Sequence, residues 1–170
     1  MKIGILSDTH HRTDMHAQAI DNLLAQGVEY LLHAGDIHSR EHLQMLRDTN
    51  LPFIAVFGNN DHHLAPLSDI YPIYQEPYYF KIESTVVKIM HMPLYMSADA
   101  DLIISGHTHM FDARQIGGRL FINPGEVCAR EKNLTEHATI EMVDGRWHID
   151  RYFKKPDAKE WIVERVDSGI

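Results

Sequence analysis

At 170 residues, 44% of them apolar and 24% charged, the chain has the length of one domain and enough apolar material to bury a core unaided. Nothing approaches the roughly 18 consecutive apolar residues of a membrane span, and the alternating segment that follows Met1 does not read as a signal peptide. The expectation is a single domain over 1–170 in the cytoplasm, and a formal charge of −8 speaks against a generic basic surface for nucleic acid.

The elements open as strand, helix, strand, helix, strand. Lys2 to Leu6, Tyr30 to Ala34 and Phe53 to Phe57 are apolar runs of strand length. Ile20, Leu23 and Leu24 give a first helix its buried face, with Asp14 placed to cap it and Gly27 to end it. Leu43 and Leu46 predict a shorter helix after Ser39. This half reads as two right-handed βαβ units on a parallel sheet.

The second half reads as hairpins. Tyr78 to Ile82 pairs with Val86 to His91, Ala113 to Ile116 with Arg119 to Ile122 across Gly117-Gly118, and Ile140 to Val143 with Trp147 to Ile149 across Asp144-Gly145-Arg146. Leu102 to Ser105 is one further buried strand. In the tail over 155–170, Ile162 and Val166 stand at helical spacing beside Trp161 and predict a short helix packed on the domain or on a second subunit. A parallel half followed by an antiparallel half predicts two sheets packed face to face with helices outside.

Three of these strands deliver polar residues at their carboxyl ends: Ser7-Asp8-Thr9-His10, Gly35-Asp36 and Gly58-Asn59-Asn60-Asp61. In such a sheet the carboxyl ends lie along one edge, where ligands bind, so distant residues converge. The hairpin half adds His91 and Gly106-His107-Thr108-His109. Aspartate, asparagine and histidine form a mixed oxygen and nitrogen set suited to manganese, iron, nickel, cobalt or zinc. About seven ligands exceed the need of one cation, and a carboxylate can bridge two cations ~3.5–4 Å apart. Asp36 is the natural bridge, and cations there would offset the repulsion between an acidic chain and a phosphate.

The ordered set Asp8-x-His10, Gly35-Asp36, Gly58-Asn59-Asn60-Asp61, His91, Gly106-His107-x-His109, with Asn123-Pro124-Gly125 after it, resembles the calcineurin-like metallophosphoesterase superfamily and most of all its small stand-alone prokaryotic phosphodiesterases. The resemblance spans positions 8 to 125. It implies a four-layer α/β/β/α sandwich of two mixed sheets with a binuclear site at the strand carboxyl ends. It implies Asp8, His10, Asp36 and His109 around one metal and Asp36, Asn59, His91 and His107 around the other, with manganese the leading identity. The activity implied is hydrolysis of phosphate esters, phosphodiesters above all, by in-line attack of a metal-bridging hydroxide.

Two departures from that pattern stand out. Many members have histidine where this chain has Asn60, which can donate a hydrogen bond to a phosphate but cannot give up a proton. The neighbours Asp61, His62 and His63 are then catalytic candidates, His62 and His63 as stand-ins for the missing acid. Between His91 and Leu102 only the ten residues Met92 to Asp101 are available where relatives fit a full helix, so that helix is expected to be absent or one turn long.

Arg12 is a candidate partner for a phosphate oxygen. His16, His42, His137 and His148 read as solvated surface groups, His33 as a hydrogen-bonded core residue, and His11 and His38 as neighbours of the ligand blocks. Cys128, the only cysteine, reads as a small buried apolar side chain. The competing functions are a non-catalytic scaffold of the same fold, disfavoured because every ligand position holds a competent residue, and a nuclease, disfavoured by the acidic balance. A homodimer is the expected assembly and a small phosphate ester the expected substrate.

Overall fold

The computed structural model describes residues 1–167. The strands are β1 (Lys2–Leu6), β2 (Tyr30–His33), β3 (Phe53–Val56), β4 (Ile73–Tyr74), β5 (Tyr78–Ile82), β6 (Thr85–Ile89), β7 (Leu102–Ile104), β8 (Phe111–Ile116), β9 (Arg119–Pro124), β10 (Thr135–Val143), β11 (Arg146–Lys154) and β12 (Ile162–Val166). The helices are α1 (Thr13–Ala25) and α2 (Arg40–Asp48), with a 3-10 segment over His62–Asp69.

Seven strands form one mixed sheet in the order β12-β11-β10-β1-β2-β3-β4, and five form a second in the order β5-β6-β7-β9-β8. The β1–β2 and β2–β3 pairs are parallel, as the two βαβ units required. Alternation of side chains along each strand sends residues to opposite faces. Ile3 and Ile5 of β1 therefore meet Val87, Ile89, Leu102, Ile104, Leu120 and Ile122 of the second sheet in a core between the sheets. Leu6 faces the other way, into a core under the helices.

In α1 the spacing of Met15, Ala19, Ile20 and Leu23 builds the stripe that closes this outer core, and Leu43 and Leu46 do the same in α2. Burying each such aliphatic side chain contributes ~1.5–3 kcal/mol over leaving it exposed. Ser39 caps α2 by accepting the His42 N–H at 3.3 Å. The cap expected for α1 is different: Arg12 is the N-cap residue, and Asp14 lies inside the first turn, paired with Arg12. There its charge still complements the positive end of the helix.

The outer face of the five-stranded sheet carries no helix over Met92 to Asp101, as the short count anticipated. Met90, Ala100 and Ile103 form a small core there. The buried Lys88 fastens this segment, its Nζ donating to Ser97 Oγ at 2.8 Å and to Asp99 Oδ1 at 2.9 Å.

The tail corrects the sequence reading. Ile162 and Val166 belong to a strand, β12, which pairs antiparallel with β11. Residues four apart share a face in a strand as well as in a helix, so the spacing did not discriminate, and the β-branched pair Ile162-Val163 favours the sheet. Residues 168–170 of that tail lie outside the described residues.

Candidate metal centre

The carboxyl ends of β1, β2 and β3 lie side by side, and the loops that leave them carry the polar blocks. Five of the seven ligand candidates sit in the left-handed backbone region: Asp8 (φ 55°), His10 (47°), Asp36 (54°), His107 (67°) and His109 (61°). Such conformations cost roughly 1–3 kcal/mol each and persist where the surroundings enforce them. Hydrogen bonds across the loops do the enforcing here. Asp8 N–H donates to Gly35 O and His10 N–H to Asp36 O, both at 3.0 Å. His107 N–H donates to Asp8 Oδ2 at 3.0 Å. Gly35 permits the close approach of His91, since a Cβ there would stand 2.6 Å from His91 Nδ1.

Asp36 is at the middle. Its Oδ2 lies 3.4 Å from His10 Nε2 and 3.5 Å from His91 Nε2. On one side, Asp8 Oδ1 is 3.4 Å from His109 Nε2 and 4.0 Å from His10 Nε2. On the other, Asn59 Oδ1 is 2.9 Å from His91 Nε2 and 3.1 Å from His107 Nδ1. Asp8, Asp36 and His91 each offer a ligand atom within 4.8 Å of the others. One carboxylate thus stands between two groups of donors.

These residues fit divalent cations on observations of the structure itself. Asp8 Oδ1 and His10 Nε2 are buried and have no hydrogen-bond partner, a costly arrangement unless a further group meets them. His91 Nδ1 donates to Ala34 O at 2.8 Å, and His109 Nδ1 donates to the buried Glu126. In both rings the second nitrogen, Nε2, is therefore turned toward the carboxylates, the orientation seen in metal-ligating histidines whose other N–H is held by an oxygen. Burial raises the Asp8 carboxyl above its ordinary value and pushes His10 down to about 4. Burial also acts on Asp36, but the hydrogen bond and charge of His91 and two hydrogen bonds from Asn60 outweigh it and hold that carboxyl well below the usual range. Burial lowers His91, yet Asp36 and Asp8 lift it to about 8.

Residues 1–145 match the calcineurin-like phosphoesterase superfamily domain. The chain belongs to that superfamily. It is therefore a metallophosphoesterase, a hydrolase of phosphate esters that uses divalent metal ions. A phosphodiesterase of Methanocaldococcus jannaschii is 31% identical over 158 residues, 85% of this chain and 93% of that protein. The solved structure of an archaeal phosphodiesterase superposes with a TM-score of 0.75 at 26% identity, covering 88% of this chain and 98% of the other. Vps29 of Entamoeba histolytica, solved with zinc, superposes with a TM-score of 0.76 over 99% of this chain and 100% of its own at 21% identity, a likeness of fold alone.

The candidates beyond the ligands have varied placements. Asn60 donates to Asp36 with its backbone N–H (3.0 Å) and its side-chain amide (2.8 Å). Asp61 is buried and accepts from the N–H groups of Ile37, His38 and Gly58 at 3.0, 2.8 and 2.8 Å, so it ties the Asp36 loop to the Asn59 loop. His63 donates from Nε2 to His38 O at 2.7 Å. His62 lines a cavity of about 330 Å³ with Phe57, Asn59, Gln75, Glu76 and Met92. Arg12 is engaged by both oxygens of Asp14 at 2.9 Å.

Three of the histidines read as surface groups are buried: His16, His42 and His137. Their solvated reading is corrected. His33 is a buried hydrogen-bonded residue as expected, and His148 is exposed.

The sequence reading missed Glu126 and Arg130. Glu126 accepts from His109 and from the N–H groups of Glu131 and Lys132 (2.8 and 2.9 Å to Oε1). Burial opposes its ionisation, but these hydrogen bonds and that of Cys128 bring its carboxyl down to about 2. Burial and the Glu126 charge push the Cys128 thiol up to about 12. The thiol donates to Glu126 at 3.3 Å, so it supports that carboxylate. Arg130 brings a guanidinium nitrogen to 3.1 Å from His109 Nε2.

Proposed function

We propose that the chain is a phosphodiesterase that works with two divalent cations per chain, manganese first among them, on a small phosphate ester in the cytoplasm. The observation that carries this reading is the paired donor set around Asp36, with the orphaned atoms of Asp8 and His10 beside it. Asp8, His10, Asp36 and His109 would hold one cation, and Asp36, Asn59, His91 and His107 the other. Cations bound there supply Lewis acidity toward phosphoryl oxygens and an acidified water as nucleophile.

The chain's own groups orient and enclose. Asn60 and Asp61 act as positioning residues, the first fixing the Asp36 carboxylate and the second fixing the loops on either side of it. Arg130 joins Arg12 as a candidate for a phosphoryl oxygen, each guanidinium being paired with a neighbouring carboxylate, Glu131 and Asp14 respectively. A diester has two organic arms, and two cavities border the ligands. One is the cavity of His62 and Asn59; the other, about 280 Å³, is lined by His10, His11, Arg12, Cys128 and Arg130. His62, in the first cavity, is the candidate to protonate a leaving group, whereas His63 is tied to His38. No helix among the described residues is long and apolar enough to cross a membrane. A homodimer has a candidate surface in β12, where Ile162 and Val163 are exposed.

The test is hydrolysis of bis-aryl phosphates against aryl phosphates after metal stripping and reloading with manganese. The reading expects diester turnover to exceed monoester turnover by at least ~10-fold, the size of effect that one missing binding arm produces. A preference for the monoester would overturn the diesterase assignment.

A further inference from the structure

Behind the ligand loops runs a buried hydrogen-bond chain that neither the cation site nor the cavities use. It joins Thr9, His16, His33 and His42, all of them buried, and its directions can be worked out from its ends. Gly35 N–H donates to His33 Nδ1 at 3.2 Å, so that nitrogen carries no proton. The proton of His33 is then on Nε2, which donates to Thr9 Oγ1 at 2.8 Å. Thr9 passes its single hydroxyl proton to His16 Nδ1 at 3.1 Å. His16 in turn holds its proton on Nε2, which faces His42 O at 3.2 Å.

The far end imposes the same direction independently. A carbonyl only accepts, so the oxygen of His42 demands a proton on His16 Nε2 whatever happens at Gly35. The ring of His42 is fixed in the same manner. Its Nδ1 meets the Ile37 carbonyl at 2.5 Å and so carries the proton, and its Nε2 accepts from Thr13 Oγ1 at 2.9 Å. His33 and His16 are thereby neutral, each in one tautomer, and His42 carries its proton on Nδ1, burial disfavouring a second.

The chain's anchor points flank the ligands. Thr9 stands between Asp8 and His10, and Gly35 and Ile37 stand on either side of Asp36. Thr13 and His16 belong to α1 and His42 to α2, so one network ties both ligand loops to both helices. Asp8, His10 and Asp36 are among the residues held in left-handed backbone, which needs such an external restraint.

We propose that the Thr9–His16–His33–His42 chain is a tautomer-locked positioning element that sets the geometry of the cation ligands Asp8, His10 and Asp36. The positioning role rests on the cation-site reading. The direction of the chain does not.

Two measurements on the full chain test it. The first is the two-bond ¹H–¹⁵N correlation spectrum of histidine-labelled, metal-free protein at pH 7, with rings assigned through single His→Gln variants. Neutral rings are expected, protonated at Nε2 in His16 and His33 and at Nδ1 in His42; a doubly protonated ring or the opposite tautomer in any of the three overturns the proposal. The second is calorimetric titration with Mn²⁺ of wild type, Thr9→Val and Thr9→Ser. Valine keeps the shape of threonine without the hydroxyl, and serine keeps the hydroxyl.

Thr9→Val should bind Mn²⁺ ~10- to 100-fold more weakly, in the range found when groups that support metal ligands are removed, while Thr9→Ser binds within ~3-fold of wild type. A folded Thr9→Val with wild-type affinity would show that the chain only fills space. Failure of the wild type itself to bind Mn²⁺ would instead remove the cation site, and with it the positioning role. The ring spectra need no substitution at Thr9, so they keep the proposal open to refutation if Thr9→Val does not fold.

Discussion

Asn60 holds Asp36 at two points, with its backbone N–H 3.0 Å from Oδ1 and its side-chain amide 2.8 Å from Oδ2. The residue at the position where many superfamily members carry histidine is thus committed to the carboxylate that stands between the two donor groups. The role proposed for it is orientation and charge stabilisation of that carboxylate, since an amide has no proton to give to a leaving group.

Asn60→Ala should therefore reduce turnover and cation affinity together, by ~10- to 100-fold. Steady-state kinetics with metal content measured on the same preparations checks this. Lower turnover at wild-type affinity would mean that Asn60 acts on substrate and not through Asp36.

The same commitment bears on leaving groups. A positioned general acid is worth ~10²- to 10⁴-fold, and its loss hurts alkoxides most. With His62 as the proposed acid, the rate across a series of substituted aryl methyl phosphates should fall only gently as leaving-group pKa rises in the wild type and steeply in His62→Ala. A shallow dependence in both proteins would assign protonation to another group.

Much of the centre was legible because its ligands are short motifs at strand ends. Asp8, His10, Asp36, Asn59, His91, His107 and His109 come together as the topology demands, since parallel strands deliver their carboxyl ends to one edge. Glu126 was not legible. It reaches His109 only because β9 runs beside β7 and the loop after it turns back under the site, a contact 17 residues away in sequence. The buried histidines had a signal that went unused. His16 precedes Ala19, Ile20 and Leu23 by three, four and seven residues, the spacing of the buried stripe of α1, and His42 stands beside Leu43 and one turn from Leu46. Histidine was read as polar where helical phase placed it inside. For His137 the strand β10 was begun too late, at Ile140, because Thr135-Glu136-His137-Ala138-Thr139 lacks an apolar run; a central strand flanked on both sides buries these residues all the same.

Glu126→Gln keeps an acceptor beside His109 but removes the charge that fixes its Nδ1–H. Mn²⁺ affinity should fall ~10- to 100-fold, read by calorimetric titration with the melting temperature followed in parallel. Unchanged affinity would reduce Glu126 to a support of the 131–132 turn.

Burial lowers His16 and His137 to about 3 in the folded chain, against 6.5 for a free imidazole. The unfolded chain binds these protons and the folded chain does not, so their contribution to stability is fully present above pH 6.5 and is lost as pH falls toward 3. Each adds a slope of about 1.4 kcal/mol per pH unit inside that window. His137 accepts from Asn22 and stacks on Tyr152. His137→Phe should flatten the dependence of unfolding free energy on pH between 6 and 4.5 by about that amount, measured by urea unfolding at stepped pH. An unchanged slope would place the His137 proton affinity near its free value.

Asp36 is proposed to stand between two cations that the enzyme needs. Elemental analysis of stripped and manganese-reloaded protein, with diester hydrolysis assayed on the same samples, tests it most directly. About two ions per wild-type chain are expected, with activity that vanishes on stripping and returns on reloading, and loss of both ions and activity in Asp36→Asn. Well under one ion per chain in the reloaded wild type, with no hydrolysis gained from added manganese, would contradict it.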